Sequence, residues 1–557
     1  MRISRLVVDN FRSIARLDIE LPQVGAIIGP NNAGKSNLLL AIQRILGRDW
    51  VRAADFDAED VYGADPDKDV RIAVTFDPPL TYQRFKGAPP ASIATLSFEY
   101  TRYKIGPQKG QRRLEQMCLD AAGKPVSALA RAPKKGEKHQ YQVLIGIPSE
   151  VREQVPLIFI GTHRSLESHL PGARFSLLRQ LFEDVNRDFS DPSNTIALRG
   201  PGGTTVAMPR RDRFRELMEA VVSVLRTKSF NDLESSIRRH ALSQLGFDPE
   251  KDTDKLDLVF SPIDSMDFYK ALDLQVREGK FTISATNLGE GVQNALVLAI
   301  LQVFEERRKR GAILLIEEPE MFLHPQMQRS LAKTLQGIGA TNQVLYTTHS
   351  PHFVTIPEYP RVLLVRRGTQ GTSVRRSSLP LDARRSEKLL KEFDPERNEL
   401  FFASRLLLVE GDTEKLALPE YARRLGHDLD RAGTTIVEVG GKRNLMEFAQ
   451  IAKSFAIPTG VIYDRDSSDF ATDRPAEAEY NQTLNALATA DGTAKVWVME
   501  KDYEDTLKKT LGEKAYQEIC AKYPGYSKAV RHRLIATDAS SAIPEQIKDA
   551  LAWATQK

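Results

Sequence analysis

Two sets of residues have types and spacings suited to chemistry. The first is Gly29–Ser36, GPNNAGKS, which fits G-x-x-x-x-G-K-S. Gly29 and Gly34 let bare backbone N–H groups close around phosphate oxygens at a helix N-terminus, where the helix dipole favours an anion. In that pattern Lys35 reaches the β- and γ-phosphates, Ser36 reaches Mg²⁺, and Asn31, Asn32 and Asn37 line the same nucleotide loop. The second set is acidic. Glu410 and Glu414 flank a glycine turn, and Asp464 and Asp466 end a later apolar run. Four hard oxygen ligands suit Mg²⁺ or Mn²⁺ rather than zinc, and clustered carboxylates are costly unless a cation neutralises them.

Regular elements must position these groups. Val24, Ala26, Ile27 and Ile28 read as a strand before the glycine loop, and Leu38, Leu39, Ile42, Ile45 and Leu46 as a helix after it. Ile313–Ile316 reads as a buried parallel strand that delivers Glu317, to hold Mg²⁺ through water, and Glu318, to polarise an attacking water. A further apolar strand, Val344–Thr347, brings His349 to the same sheet edge. Gly289 and Gly291 open an apolar helix running to about Phe304 and offer backbone N–H groups to a phosphate. Arg405–Val409 and Gly460–Tyr463 read as parallel strands carrying the acids to one crevice, with a helix from Lys415 to about Leu425.

Elsewhere the pattern predicts an edge hairpin, Ile3–Val8 with Leu17–Leu21 joined by the turn Asn10–Ser13, feeding the nucleotide strand. Strands are expected at 70–77, 95–103, 157–161, 256–260 and 272–276, the third leading to Thr162–Ser165. The Lys/Arg/Gly-rich stretch 104–138 reads as hairpins with mobile loops, a solvated face rather than a phosphate surface. Apolar stripes at Phe175–Val185 and Phe214–Leu225 predict two amphipathic helices separated by a Gly/Pro loop, Arg199–Pro209. The charged stretch 384–399 marks a boundary, and Gly440–Asn444 reads as a plain loop, with contacts to DNA phosphates as the alternative.

The bulk properties narrow the class. A chain of 557 residues has room for about three or four domains. With 78 basic against 74 acidic residues the net charge is only +4, so any nucleic-acid surface must be local. Cys118 and Cys520 lie far apart without metal-ligand partners, which argues against disulfides and zinc and fits a reducing cytosol. The N-terminus lacks a signal-peptide apolar region and no run reaches membrane-spanning length, so a cytoplasmic protein without a membrane partner is expected.

Residues 1–165 and 256–385 resemble the ABC-type ATPases of the SMC and DNA-repair group. Gly29–Ser36 matches Walker A, Ile313–Glu318 Walker B, Gly289–Gln293 the signature and His349 the switch histidine. Glu317 stands where that family has aspartate, and Asn287-Leu288 stand where its signature has serine. The resemblance implies ATP as ligand and a dimer closed by ATP, each signature completing the other subunit's site. The motifs E-G-x-x-E and D-x-D at Glu410 and Asp464 resemble a Toprim domain.

The order ABC ATPase, helical insertion and Toprim resembles the OLD (overcoming lysogenization defect) family, including Gabija-type nuclease subunits. The fold class implied is α/β: ATPase parts at 1–165 and 256–385, a helical dimerisation insertion at 166–255, and a Rossmann-like Toprim domain at 400–557. The resemblance adds Glu504 as a metal ligand, with Asp505 as the alternative, and Lys528 as a catalytic lysine. One cation on Glu410, Asp464 and Asp466 would activate water. A second near Glu414 and Glu504 would stabilise the leaving 3′-oxygen, with Lys528 offsetting phosphate charge. The implied function is an ATP-regulated DNA endonuclease of phage defence or DNA repair, a homodimer or homotetramer, with a UvrD-like helicase partner if Gabija-type. The alternatives are a non-cleaving SMC-like DNA clamp and a Toprim RNA nuclease. No segment supplies the nucleophilic-tyrosine domain of a topoisomerase.

Overall fold

The computed structural model describes residues 1–47, 51–131, 140–162, 166, 170, 176–199, 205–256, 264–307, 311–354, 356–380, 387, 395–466, 475–489 and 492–556. The expected features at 132–138, 163–165, 257–260 and 384–386 lie outside the described residues, as do 388–394 of the charged boundary. The chain divides into two compact units, Met1–Thr162 with Arg310–Lys557, and His163–Lys309.

In the first unit, a five-stranded antiparallel sheet runs in the order Ile14–Glu20, Arg2–Phe11, Val70–Tyr82, Ala91–Arg102 and Arg112–Leu119. The N-terminal hairpin forms as expected but does not join the nucleotide strand. Alternation drives this: Ile3, Leu6 and Val8 bury one face while intervening residues stay partly exposed. Val24–Ile28 is buried throughout and belongs to a second sheet, where helices and strands cover both faces.

That sheet has the order Gly371–Arg375, Val362–Gly368, Val24–Ile28, Gln343–Thr347, Ile313–Glu317 and Leu157–Ile160. All neighbours are parallel except the first pair. Parallel register puts the ends of three central strands side by side, so Gly29, Thr348-His349 and Glu317-Glu318 emerge at one edge. Helix Lys35–Leu46 inserts Leu38, Leu39, Ile42 and Ile45 into a core shared by both sheets. Burying each such side chain stabilises by about 1.5–3 kcal/mol.

A third sheet is wholly parallel, in the order Thr434–Glu438, Arg405–Val409, Thr459–Asp464 and Ala494–Met499. Trp497 and Trp553 pack so tightly on the third of these strands that a Cβ on Gly460 would stand 2.8 Å from each ring. The helix after Gly411 starts at Asp412 rather than Lys415 and ends at Arg424. Asp412 and Glu414 lie in its first turn, where the helix dipole favours carboxylates.

The second unit holds helices Leu177–Ser190, Arg210–Leu225, Lys228–Gln244 and Glu290–Arg307. The Gly/Pro stretch between the first two belongs to a hairpin, Thr195–Arg199 paired with Thr205–Pro209. The strand expected at 272–276 begins only at Gln275 and pairs with Phe281–Ser284. Among the described residues no helix is long and apolar enough to cross a membrane.

Candidate nucleotide and metal sites

The phosphate loop is shaped by what crowds it. Gly29 has φ 148°, and a Cβ there would fall 2.1 Å from the Val365 carbonyl oxygen. Gly34 has φ 105°, and its Cβ would fall 2.3 Å from Thr372 Oγ1 and 2.7 Å from Ser13 Oγ. Both positions therefore require glycine. Thr372 Oγ1 donates to Ala33 O (2.8 Å), Asn37 Nδ2 donates to Ser13 Oγ (2.8 Å), and the two hydroxyls meet at 2.7 Å. Lys35, 7% exposed, donates to Gly29 O and Pro30 O at 3.0 and 3.1 Å. Burial lowers its pKa, against the fields of Glu318 and Glu320. Asn31, Asn32 and Ser36 are exposed on the loop.

Glu318 has φ 44°, a left-handed conformation costing about 1–3 kcal/mol in a non-glycine residue. Its N–H donates to Thr347 O and Thr347 Oγ1, both at 3.0 Å, which fixes that turn. Its Oε1 lies 3.7 Å from His349 Nε2, a buried atom without a hydrogen-bond partner among the described residues. Burial, then the charge of Lys35, lowers the His349 pKa, so the ring is neutral at pH 7. Glu320 accepts from Thr348 Oγ1 (2.9 Å) and His349 N (2.6 Å), and burial raises its pKa.

The acidic crevice sits at the C-terminal ends of the all-parallel sheet. Asp464 N donates to Glu410 Oε1 at 2.7 Å. Burial pushes Glu410 up to about 7, with Asp466 and Glu414 adding and Lys442 relieving. Asp464 is pushed up to about 8 by burial and then by Glu410 and Glu414. Glu414 is also raised, first by burial, with Glu504 adding and Lys528 relieving. Lys528 Nζ lies 2.8 Å from Glu504 Oε1. Burial opposes the charge on Lys528, but Glu504 and Asp464 outweigh it and raise the pKa. Lys442 Nζ donates to Asp464 O at 2.5 Å and to Asp466 Oδ2 at 2.8 Å.

Among the described residues no three His, Cys, Asp or Glu side chains already stand in metal-holding geometry. The donor set nonetheless fits a hard divalent cation. Burial and neighbouring acids raise the pKa of all three carboxylates, and two lysines bond the outlying acids Asp466 and Glu504. Such a cluster is short of positive charge, and carboxylate oxygens are what Mg²⁺ and Mn²⁺ prefer.

Comparison with known proteins finds two kinds of domain. A family described as "AAA ATPase domain" matches residues 1–145 and 214–354, and "Overcoming lysogenization defect protein-like, TOPRIM domain" matches 401–466. The chain belongs to the family of that AAA ATPase domain. It is 29% identical to an "OLD nuclease" of Thermus scotoductus over 526 residues, 91% of each chain. It is 22% identical to the "Old nuclease" of Escherichia phage P2, covering 93% of this chain and 87% of that one. It is also 22% identical to "Endonuclease GajA" of Bacillus cereus, covering 79% and 71% respectively. An ATPase domain joined to a Toprim domain implies use of a nucleotide and a divalent metal.

In this chain, Lys35, Ser36, Glu317, Glu318 and His349 share one sheet edge, and Glu410, Glu414, Asp464, Asp466, Glu504 and Lys528 share one crevice. Gly289 and Gly291 lie at the start of helix Glu290–Arg307 in the second unit, where Gln293 Nε2 closes the turn on Thr286 O and Leu288 O. Asp505 pairs with Lys509 at 3.0 Å, whereas Glu504 faces Lys528. Sequence reasoning missed Ser13, Glu320, Thr372 and the role of Lys442. Glu320 was legible in the Glu317–Glu320 run, but nothing near Thr372 or Lys442 marks its role.

Proposed function

We propose that this protein is an ATP-regulated DNA endonuclease that cleaves phosphodiester bonds at the Toprim crevice with Mg²⁺ or Mn²⁺. The observation that carries this is the buried set Glu410, Glu414 and Asp464, converging on strand ends beside Lys528. Glu410, Asp464 and Asp466 form one ligand group, and Glu414 and Glu504 another. Bound divalent ions supply an activated water and charge stabilisation at the leaving oxygen. Lys528, whose side chain is 61% exposed, meets the charge of the scissile phosphate. Lys442 holds Asp466 and the Asp464 carbonyl in place.

At the other site, Asn31, Asn32, Gly34, Lys35, Ser36 and Asn37 would cradle the phosphates of ATP, and Glu317 would help to hold its Mg²⁺. Glu318 orients the hydrolytic water, and neutral His349 offers Nε2 to the γ-phosphate. Gly289 and Gly291 of a second subunit complete that site, so the working form is a homodimer or homotetramer. The domain division at 166, 256 and 400, a cytoplasmic location, a UvrD-like helicase partner and a role in phage defence or DNA repair belong to the same proposal.

The test is incubation with supercoiled plasmid in Mg²⁺ or Mn²⁺, with and without ATP. Glu410→Ala should lower cleavage at least 10–100-fold, the usual effect of disturbing a metal site. Intact plasmid under every condition, or full activity in Glu410→Ala, refutes the reading. Lys35→Ala should abolish any effect of ATP.

A further inference from the structure

The ATP-site histidine and the nuclease acids are joined by a short chain of hydrogen bonds. His349 is followed by Ser350 and Pro351, and the Pro351 carbonyl accepts from Asn398 Nδ2 at 3.1 Å. Asn398 is 3% exposed, and its Oδ1 is buried with no hydrogen-bond partner among the described residues. The next residue back, Arg397, clamps Glu438 twice: Nε donates to the Glu438 carbonyl and an Nη to its carboxylate, both at 2.8 Å. Glu438 ends the strand Thr434–Glu438, and its Oε1 accepts from Gly440 N at 2.5 Å. Gly441 N then donates to Glu410 O at 2.9 Å, and the following residue is Lys442. Gly440 and Gly441 have φ 74° and 111°, a turn only glycines adopt without strain.

Two features suit this link to switching. An orphaned buried amide oxygen costs about 1–3 kcal/mol, so a rearrangement that gives Asn398 Oδ1 a partner is favoured. A cleft of about 380 Å³ also separates the phosphate loop at Asn31 and Asn32 from the Toprim entry at Phe401–Ser404, leaving room to move. Arg366, whose Nη donates to Ala403 O at 3.1 Å, spans that boundary.

We propose that the helical turn Pro395–Asn398 couples the two sites, with Asn398 holding the loop behind His349 and Arg397 passing its displacement through Glu438 and Gly440–Gly441 to Glu410 and Lys442. Arg397 and Asn398 are positioning residues and touch no substrate. Nucleotide that engages His349 favours one placement of Pro351, and the differential contacts of Asn398 transmit that preference. The inference rests on the nuclease reading for its consequence, but the mechanical link can be measured without it.

The experiment is hydrogen–deuterium exchange on the full chain, with and without Mg²⁺ and a non-hydrolysable ATP analogue, in wild type, Asn398→Ala and Arg397→Lys. Segment 24–40 reports nucleotide binding and segment 436–444 reports the nuclease turn. In wild type both segments should change exchange on adding nucleotide. In each variant segment 24–40 should respond as in wild type, while the response of 436–444 falls at least threefold. No nucleotide response at 436–444 in wild type overturns the proposal, as does a full response in both variants. If one variant fails to bind nucleotide, the other decides. Plasmid cleavage on the same preparations separates the two claims: a coupled but uncleaving protein refutes the nuclease reading and leaves the link standing.

Discussion

Lys442 Nζ lies 2.8 Å from Asp466 Oδ2 while bonding the Asp464 carbonyl, so one buried ammonium ties together two residues of the acid cluster. Lys442 is 8% exposed and also sits 5.4 Å from the Tyr463 ring centre. Replacing it with methionine keeps the aliphatic stem and removes the side-chain cation that pairs with Asp466 among the described residues. Lys442→Met should destabilise the metal-free protein by about 1 kcal/mol, the net worth of the hydrogen bonds it removes. Urea denaturation in EDTA reads this directly, and an unchanged midpoint would show that the ammonium contributes nothing.

The raised acids predict a particular pH response. Glu410 and Asp464 titrate near 7 and 8 when folded, above the usual carboxylate values near 4 in the unfolded chain. Between those limits the folded state binds more protons than the unfolded one. Stability of the metal-free protein should therefore fall as pH rises from about 4 to about 8, then level off. Divalent cations favour the carboxylate form, so their binding at pH 7 should release protons and tighten towards pH 8. Calorimetry in buffers of different ionisation enthalpy measures the released protons, and zero release would contradict the burial of these acids.

Thr372 lies far from the phosphate loop in sequence yet bonds Ala33 O and Ser13 Oγ. Thr372→Val preserves shape and removes both bonds. Loss of about 1 kcal/mol of loop positioning corresponds to roughly fivefold weaker binding. Fluorescent ATP-analogue titration should show that loss with no change in divalent-metal affinity at the Toprim crevice. Weakening of both affinities together would mean a general loss of folding.

These cases show why some parts were readable from sequence and others were not. The parallel strands Val24–Ile28, Ile313–Glu317, Gln343–Thr347 and Thr459–Asp464 are apolar runs ending in Gly, Glu, His or Asp, a local signal that carries both fold and chemistry. The hairpin Arg2–Phe11 with Ile14–Glu20 was equally visible, but its sheet partner Val70–Tyr82 is a long-range choice that periodicity does not encode. The Thr195–Arg199 hairpin hid behind glycine and proline, because a turn signal does not say whether its flanks pair. Lys442 looked like an ordinary loop lysine; only the fold brings the Gly440–Gly441 turn under Glu410.

Lys528 and Glu504 allow the last prediction, which separates catalysis from metal holding. Their 2.8 Å contact places the ammonium beside the acids without burying it, since the Lys528 side chain is 61% exposed. A surface pair of this kind contributes little stability, on the order of 0–1 kcal/mol. Electrostatic stabilisation of a transferring phosphate is a larger effect, on the order of 10²–10³ in rate for one well-placed group. Lys528→Met should therefore reduce plasmid cleavage by about that factor while leaving the melting temperature within about 2 °C. Divalent-metal affinity should rise or stay constant, because a positive charge next to the cluster has been removed. Weaker metal binding in Lys528→Met would instead make this lysine a support for Glu504, and the catalytic role would fall.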